Sequence, residues 1–480
     1  MAAIEIPTES PWRPRLWRRT LDHYPRRRSR VAYLAIVIAI TMVLYYELYV
    51  TGGVATLQLR AFHMSFGFYT FFIAASNLFS AFGALTAGLC DRFGRANLVV
   101  YGLLATGLLI LVAVPNAPDK IVLAVETCLV GGVEGIVLVA TPALIRDFSP
   151  QVGRATAMGF WLLGPVLGSL VVSVVAAFTL PVLHTWQSQY HVCGVIGLVT
   201  FGVSLLWLRE PSPRLRDQVM VTEHDRVLVE ARARGIDVAE ALRHPWRQMA
   251  RVRIVLPAFG FAVAFLMYST LAGFGTIFFT GVFGFRLAAA NGVAVWGWVC
   301  DAVLCVGLGV LSDRLRVRKP VVLAGALLMA AAVGVFILLT GGHPGYAAVA
   351  AAMAFLAGSL GAFSGAWMAA YTETIEDVNP ALTATGLAIW GWLVRLATAG
   401  AFWLLPVVVT SVAGSGGGGA AAEWRTWFWI CLAAAVVFIP LVGLLKGRWR
   451  PAAARADEAR HEAEVAEELA ALRDERARTG

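Results

Sequence analysis

The sequence predicts an all-α membrane protein of twelve spanning helices, arranged as two six-helix halves. Three observations carry this. Of the 480 residues, 59% are hydrophobic and only 14% charged, against roughly a quarter charged in a water-soluble domain. The charge is confined to a few segments, and the apolar runs between them reach the ~20 residues needed to cross a ~30 Å hydrocarbon core. Finally, a polar loop, Gly88-Leu89-Cys90-Asp91-Arg92-Phe93-Gly94-Arg95, has a weaker copy at Gly309-Val310-Leu311-Ser312-Asp313-Arg314, with the two aspartates 222 positions apart.

The spans are expected at 32–54, 68–89, 98–117, 121–143, 155–178, 191–208, 254–280, 289–311, 320–340, 346–370, 383–409 and 427–445. This divides the chain into an N-terminal segment (1–31), a first half (32–208), a linker (209–252), a second half (253–445) and a tail (446–480). The net charge of +9 would suit nucleic acid, but its distribution excludes that partner. Arg13, Arg15, Arg18, Arg19, Arg26, Arg27, Arg28 and Arg30 precede the first span, and Arg243, Arg247, Arg251 and Arg253 precede the seventh. Connections on the other side are nearly bare; 179–190 and 341–345 hold no Lys, Arg, Asp or Glu. This positive-inside bias places both termini in the cytoplasm, as for a multi-pass protein of a bacterial inner membrane. The first apolar run starts too late and runs too long for a cleavable signal peptide. The six cysteines lie in or at the ends of spans without metal spacing and read as small buried hydrophobes.

Taken in order, the Arg-rich N-terminal segment carries Trp12, Trp17 and Tyr24, which suit an anionic membrane surface or a disordered segment equally. The first span contains Tyr45-Tyr46-Glu47-Leu48-Tyr49. A carboxylate inside a span costs several kcal/mol unless protonated, paired or facing water; a Glu reaching solvent at the far end is the alternative. The second span ends in the loop described above, where Gly88 permits a tight exit and Gly94 a positive φ. Asp91 suits a helix N-terminus or a basic partner, and Arg92 and Arg95 the anionic leaflet. In the fourth span Glu126 and Glu134 lie two turns apart on one face, with Gly131, Gly132 and Gly135 allowing close helix packing. The fifth carries Gly164-Pro165 and Gly168, a bend with a thinned interface that serves either motion or packing alone.

The linker, 209–252, is the one long polar connection; within it, 222–242 suits amphipathic surface helices. The chain has no nucleotide-binding loop, no paired-His or C-x-x-C metal site and no G-x-S-x-G elbow, so neither an enzyme nor a cofactor is expected. In the second half, the seventh span has Tyr268, Ser269, Thr270 and Thr276; the eighth has Trp296, Trp298 and, near its middle, Asp301. The tenth is small and polar. The eleventh carries Arg395 after Trp390 and Trp392. An arginine stays charged, so at this depth it needs a carboxylate, carbonyls, water or an anionic ligand; a fixed pair with Asp301 is one such arrangement. Gly414–Gly419 reads as a flexible external loop, and 452–478, rich in Ala, Glu and Arg, as an exposed helix.

A second correspondence supports the halves. Arg146-Asp147-Phe148-Ser149-Pro150 matches Glu376-Asp377-Val378-Asn379-Pro380, and the same shift of 230 carries Gly131 and Gly135 onto Gly361 and Gly365. This is a parallel repeat. On these residues the chain resembles the major facilitator superfamily over ~32–445: Gly88-x-x-Asp91-Arg92-x-Gly94-Arg95 resembles that family's signature loop between helices 2 and 3, and Gly309-x-x-Ser312-Asp313-Arg314 its second-half echo. The resemblance implies two bundles around a central cavity, alternating access by rocking of the halves, and a gate formed by Gly88, Asp91, Arg92, Gly94, Arg95, Asp313 and Arg314. The chain departs from the pattern at Ala87, where the family's first glycine usually stands, and at Glu134, in a region that often holds an Arg. Gly164-Pro165-x-x-Gly168 resembles the signature of proton-coupled drug exporters, but Ser169 follows where another Gly is common.

The expected function is proton-coupled transport of a small organic solute, an organic anion or metabolite, by a monomer. Glu47 or Glu134, with Asp301 as second choice, would carry the proton. Arg395, with Tyr46, Trp161, Trp298 and Trp392, would meet the solute; Trp296 and Trp390 are further candidates for cavity walls. Drug/proton exchange is the alternative transport reading, and a non-transporting receptor the alternative from another class.

Overall fold

A computed structural model describes residues 19–85, 93–148, 160–212, 215, 245–315, 317–379, 382–410 and 418–452. Gly88, Asp91 and Arg92, most of the linker, the glycine loop at 414–417 and the tail beyond 452 lie outside the described residues. Twelve helices are long and apolar enough to span a membrane: Arg27–Gly53, Phe66–Gly83, Arg95–Asn116, Lys120–Phe148, Phe160–Leu183, Trp186–Trp207, Val252–Phe283, Leu287–Leu315, Lys319–Leu339, Tyr346–Val378, Thr385–Val408 and Gly419–Leu444. They are spans 1 to 12 below. Span 12 begins eight residues earlier than the hydropathy reading, because Trp424 and Trp427 at its start bury into the second-half core. Gly418 and Gly419, read as loop, already belong to that helix.

Spans 5 and 7 are each interrupted once, at Leu163 (φ −73°, ψ −10°) and Phe265 (φ −70°, ψ −10°). Pro165 therefore stands in the first turn of a new helical segment, Gly164–Leu183, rather than bending a continuous one. There its missing N–H costs little, since first-turn amides lack intrahelical acceptors anyway.

The N-terminal segment is tied down from Arg19 onward. Thr20–Leu21 pairs in parallel with Glu210–Pro211 at the start of the linker. The buried Arg19 donates to the carbonyl of Leu205 at 2.6 Å, at the end of span 6, where helix carbonyls lack intrahelical donors. Arg95 pairs with Asp147 at 2.6 Å, and Tyr24 donates to the Asp147 carbonyl at 3.1 Å. All these contacts mark one face, the linker side. Arg318, whose Nε donates to Glu373 at 3.3 Å, and Lys446, which pairs with Asp377 at 2.9 Å, form its second-half counterpart.

The small-residue positions are where the helices touch. A Cβ on Gly131 would come within 2.7 Å of the Ser76 carbonyl, and one on Gly135 would overlap that of Ser80. Spans 2 and 4 therefore pack backbone to backbone. Spans 8 and 10 repeat this with Gly361 against Asp301 and Gly365 against Cys305.

The halves close on each other away from the linker side. Thr276 Oγ1 donates to the Gly52 carbonyl (2.7 Å), Asn291 Nδ2 to that of Gly53 (3.1 Å) and Trp298 Nε1 to Ser173 Oγ (3.0 Å). These three hydrogen bonds join the halves on that side. Toward the linker side, span 8 is exposed along one broad face at Val303, Leu304, Val306, Val310 and Leu311, and a ring contact between Phe82 and Trp392 (6.5 Å) joins spans 2 and 11.

Candidate functional site

Span 1 organises the centre of the molecule, and its rotation is set by span 5. A Cβ on Gly164 would come within 2.6 Å of Thr41, and one on Gly168 within 2.5 Å of Tyr45. The bare faces of these glycines let span 1 approach closely enough to fix which side chains turn inward. Residues four apart share a helix face, and adjacent ones stand about 100° apart. Tyr45 and Tyr49, partly buried, accordingly form one surface, and Tyr46 and Glu47 turn elsewhere.

Tyr45 and Tyr49 feel both Glu134 from span 4 and Arg395 from span 11, so groups from opposite halves converge on the same two rings. Tyr268 of span 7 also lies within electrostatic reach of both, and of Asp301. Tyr268 packs edge-on against Trp298 at 5.0 Å. Beside this cluster lies a small, narrow cleft between the halves, lined by Tyr49, Ser169, Ser173, Thr276, Asn291 and Trp298 among others.

The three acidic candidates are all deeply buried: Glu47 is 2% exposed, Glu134 0% and Asp301 1%. Neither oxygen of Glu47 or Glu134 has a hydrogen-bond partner, nor does Oδ2 of Asp301. Holding a negative charge there without donors costs several kcal/mol, far more than holding the neutral acid. Glu47 and Glu134 interact with each other. Asp301 sits against Gly361 in span 10, where a Cβ would come within 2.6 Å of its Oδ1. Glu126, grouped with Glu134 in the sequence, is only partly buried.

Arg395 is partly buried, and its hydrogen bond, to its own helix at Gly391, is long at 3.4 Å. No ion pair joins it to Asp301 among the described residues; Asp301 points into the packing of spans 8 and 10, while Arg395 faces span 1. The guanidinium is thus held at the inter-half surface without a carboxylate on it.

Several sequence candidates lie away from this convergence. Tyr46, 1% exposed, is packed within the first half, where a Cβ on Gly168 would come within 2.9 Å of its backbone nitrogen. Trp161 donates to Thr141 at 3.0 Å, a contact internal to the first half. Both are removed from the surface between the halves by the rotation of their helices. Trp298 bridges the halves through Ser173, and Trp392 meets Phe82. Trp296 faces outward, and Trp390 packs against Phe261 at 5.9 Å within the second half. The residues missed in the sequence are Tyr45, Tyr49 and Tyr268. The first two carried a signal, an i, i+4 aromatic pair flanking a buried acid.

The described residues of the expected gate make their contacts away from the opposite half. Gly94 has φ 87°, as its turn requires, and its α-carbon abuts the Glu210 carboxylate, which a Cβ would overlap. Glu210 also accepts from the Arg95 amide at 2.9 Å. In the second half Asp313 pairs with Arg318, and Arg314 is exposed.

The model of the major facilitator superfamily matches residues 37–401. No individual curated sequence matches the chain. Among solved structures the fold is similar to a D-xylose–proton symporter, with TM-score 0.66 and 16% identity over 85% of this chain and 97% of that one. It is similar to a bacterial homologue of the human lysosomal transporter Spinster, inward-facing and unoccupied, with TM-score 0.65 and 15% identity over 88% and 97%. The xylose transporter XylE from E. coli, inward-open, gives TM-score 0.64 and 16% identity over 89% and 99%. A family match spanning most of the chain, on twelve helices in two repeated halves, makes this a multi-pass membrane protein that belongs to the major facilitator superfamily, a secondary transporter working by alternating access rather than an enzyme.

Proposed function

We propose that the protein moves a small organic anion or anionic metabolite across the membrane, coupled to protons. The observation that carries this is that Glu134 and Arg395, from opposite halves, lie within electrostatic reach of the same two residues, Tyr45 and Tyr49. Arg395 supplies a permanent positive charge for a carboxylate or similar group, and the tyrosines supply flat, hydroxyl-bearing walls. Glu134, with Glu47 behind it, takes the proton. A protonated Glu134 leaves Arg395 free to bind the anion. A charged Glu134 competes for the same positive field and favours release, so proton and solute travel together. A D-xylose–proton symporter is among the similar folds, but a sugar has no charge for Arg395 to meet, which favours an anion here.

The positive-inside bias makes the linker side cytoplasmic. The hydrogen bonds between the halves then lie on the outer side, which supports reading this as an inward-facing arrangement of a monomer in a bacterial inner membrane. The drug/proton exchange reading loses support, because Gly164 and Gly168 are accounted for by their packing on span 1.

The test begins with a thermal-shift screen of carboxylic acids, sugars and cationic dyes on the purified protein. Accumulation of the best solute is then measured in proteoliposomes with an imposed pH gradient. An organic acid accumulating up the gradient, with Arg395→Ala reducing it at least tenfold, is the expected result. Flux indifferent to the gradient, or expulsion of cationic dyes alone, contradicts the reading.

A further inference from the structure

Behind the central cluster, inside the first half, a second polar chain leads away from the cleft. Thr51 Oγ1 and the Tyr190 hydroxyl are 2.8 Å apart, and Gln58 Nε2 donates to the same hydroxyl at 3.0 Å. Thr51, Tyr190 and Gln58 are 5%, 2% and 0% exposed. Gln58 lies on the inner face of the short helix Ala55–Ala61, whose outer face shows Arg60. This helix caps span 1 on the side away from the linker. One turn along span 1 from Thr51 stands Glu47, a spacing of about 5–6 Å between Cβ atoms.

Span 6 presents a matching face. Tyr190, Cys193 and Gly197 share a stripe at i, i+3 and i+7. Tyr190 meets Thr51, Cys193 is within electrostatic reach of Glu47 and Glu134, and a Cβ on Gly197 would overlap Glu47 Oε1. Glu47 thus faces spans 3 and 6, with Thr106 its neighbouring hydroxyl, and not the cleft between the halves. Both its oxygens lack hydrogen-bond partners. A fully apolar environment would suffice for packing, yet a hydroxyl chain runs toward the acid.

We infer that Gln58, Tyr190 and Thr51 form a proton entry route from the far side to Glu47, separate from the solute path. The inference rests on the reading of Glu47 and Glu134 as the proton-bearing pair. Gln58 orients the relay by donating to the Tyr190 oxygen, and the Tyr190 and Thr51 hydroxyls share a bond in which either can donate, as a two-way relay requires. Tyr190 takes a proton from a water entering past Gln58 on the far side and gives its own to Thr51, and Thr51 gives its own toward Glu47, so one proton leaves water, both hydroxyls are restored and Glu47 ends as the neutral acid. The turn between Thr51 and Glu47 is short enough for one bridging water with polar partners on both sides. Glu47 then passes the proton to Glu134, the acid within electrostatic reach of Tyr45 and Tyr49. The arrangement loads the proton while the halves are closed on that side, when the cleft offers no access from there.

The test is infrared spectroscopy of the full chain in lipid membranes, following deuterium exchange of the carboxylic-acid band that Glu47→Gln removes. A Glu134→Gln background excludes relay through the neighbouring carboxyl. Tyr190→Phe and Thr51→Val are each expected to slow exchange of the Glu47 band at least tenfold, whereas Thr200→Val, a hydroxyl on span 6 outside the chain, leaves it unchanged. Gln58→Leu serves if either variant does not fold. Unaltered exchange in these variants overturns the route and leaves the transport reading standing. Absence of any Glu47 acid band in the wild type overturns the protonation of Glu47 itself, and the route with it.

Discussion

The two halves are built on one scaffold and carry different chemistry. In each, the second and fourth helices pack through paired glycines, Gly131 and Gly135 in the first and Gly361 and Gly365 in the second. In each, an arginine at the start of the third helix reaches an acid near the end of the fourth, Arg95 to Asp147 and Arg318 to Glu373. The buried acids do not follow the repeat. Glu134, just before Gly135, corresponds to Ser364, and Asp301, which meets Gly361, corresponds to Ser76, which meets Gly131. Carboxyl and hydroxyl have changed places between the halves. Among the described residues the interacting buried acids, Glu47 and Glu134, belong to the first half, and the mid-span arginine, Arg395, to the second. Packing positions are shared because backbone contact tolerates little else; the positions that hold charge are where the halves differ.

The largest expected effect comes from breaking the shared clasp where it is buried. The Arg95 and Asp147 side chains are 9% and 0% exposed, against 20% and 41% for Arg318 and Glu373. Asp147→Ala leaves a buried arginine without its acid and is expected to cost about 3–5 kcal/mol. Glu373→Ala is expected to cost about 1 kcal/mol or less, since Arg318 keeps Asp313. Thermal unfolding in detergent compares the two; equal losses would mean that burial does not distinguish the clasps. The glycines give the next contrast. Gly135→Ala drives a Cβ into the Ser80 carbonyl, an overpacking worth about 1–3 kcal/mol. Gly365→Ala meets Cys305 at 3.4 Å and is expected to change stability little. If both alanines were equally harmless, the close approach of spans 2 and 4 would be refuted. The smallest stability effect is expected from Trp298→Phe, which removes one inter-half hydrogen bond to Ser173, about 1 kcal/mol. Its signature is instead a shift toward opening on the far side, read by cysteine accessibility in the cleft.

The scaffold was largely legible in the sequence. Hydropathy reports apolar length directly, so twelve spans and their order could be read. It under-reports helices that continue into water, as span 10 does through Thr372–Val378. The buried ionisable residues were legible for the same reason, since Glu47, Glu134, Asp301 and Arg395 interrupt apolar runs. Their facing was not. Whether Tyr45 or Tyr46 shares a surface with Arg395 depends on the rotation of span 1, fixed by contacts with Gly164 and Gly168 more than a hundred residues away. Likewise Glu210 reads as an ordinary linker acid, and only the fold brings it onto Gly94 and Arg95.

The proposed division of labour between the halves, proton on the first and solute anion on the second, is tested most directly by comparing uphill accumulation with counterflow for one solute in proteoliposomes. Glu134→Gln is expected to abolish accumulation driven by the pH gradient while retaining exchange of labelled for unlabelled solute, and Arg395→Ala to abolish both. If Glu134→Gln still accumulated solute up its gradient, or Arg395→Ala still exchanged it at the wild-type rate, the assignment of proton and anion to separate halves would be contradicted.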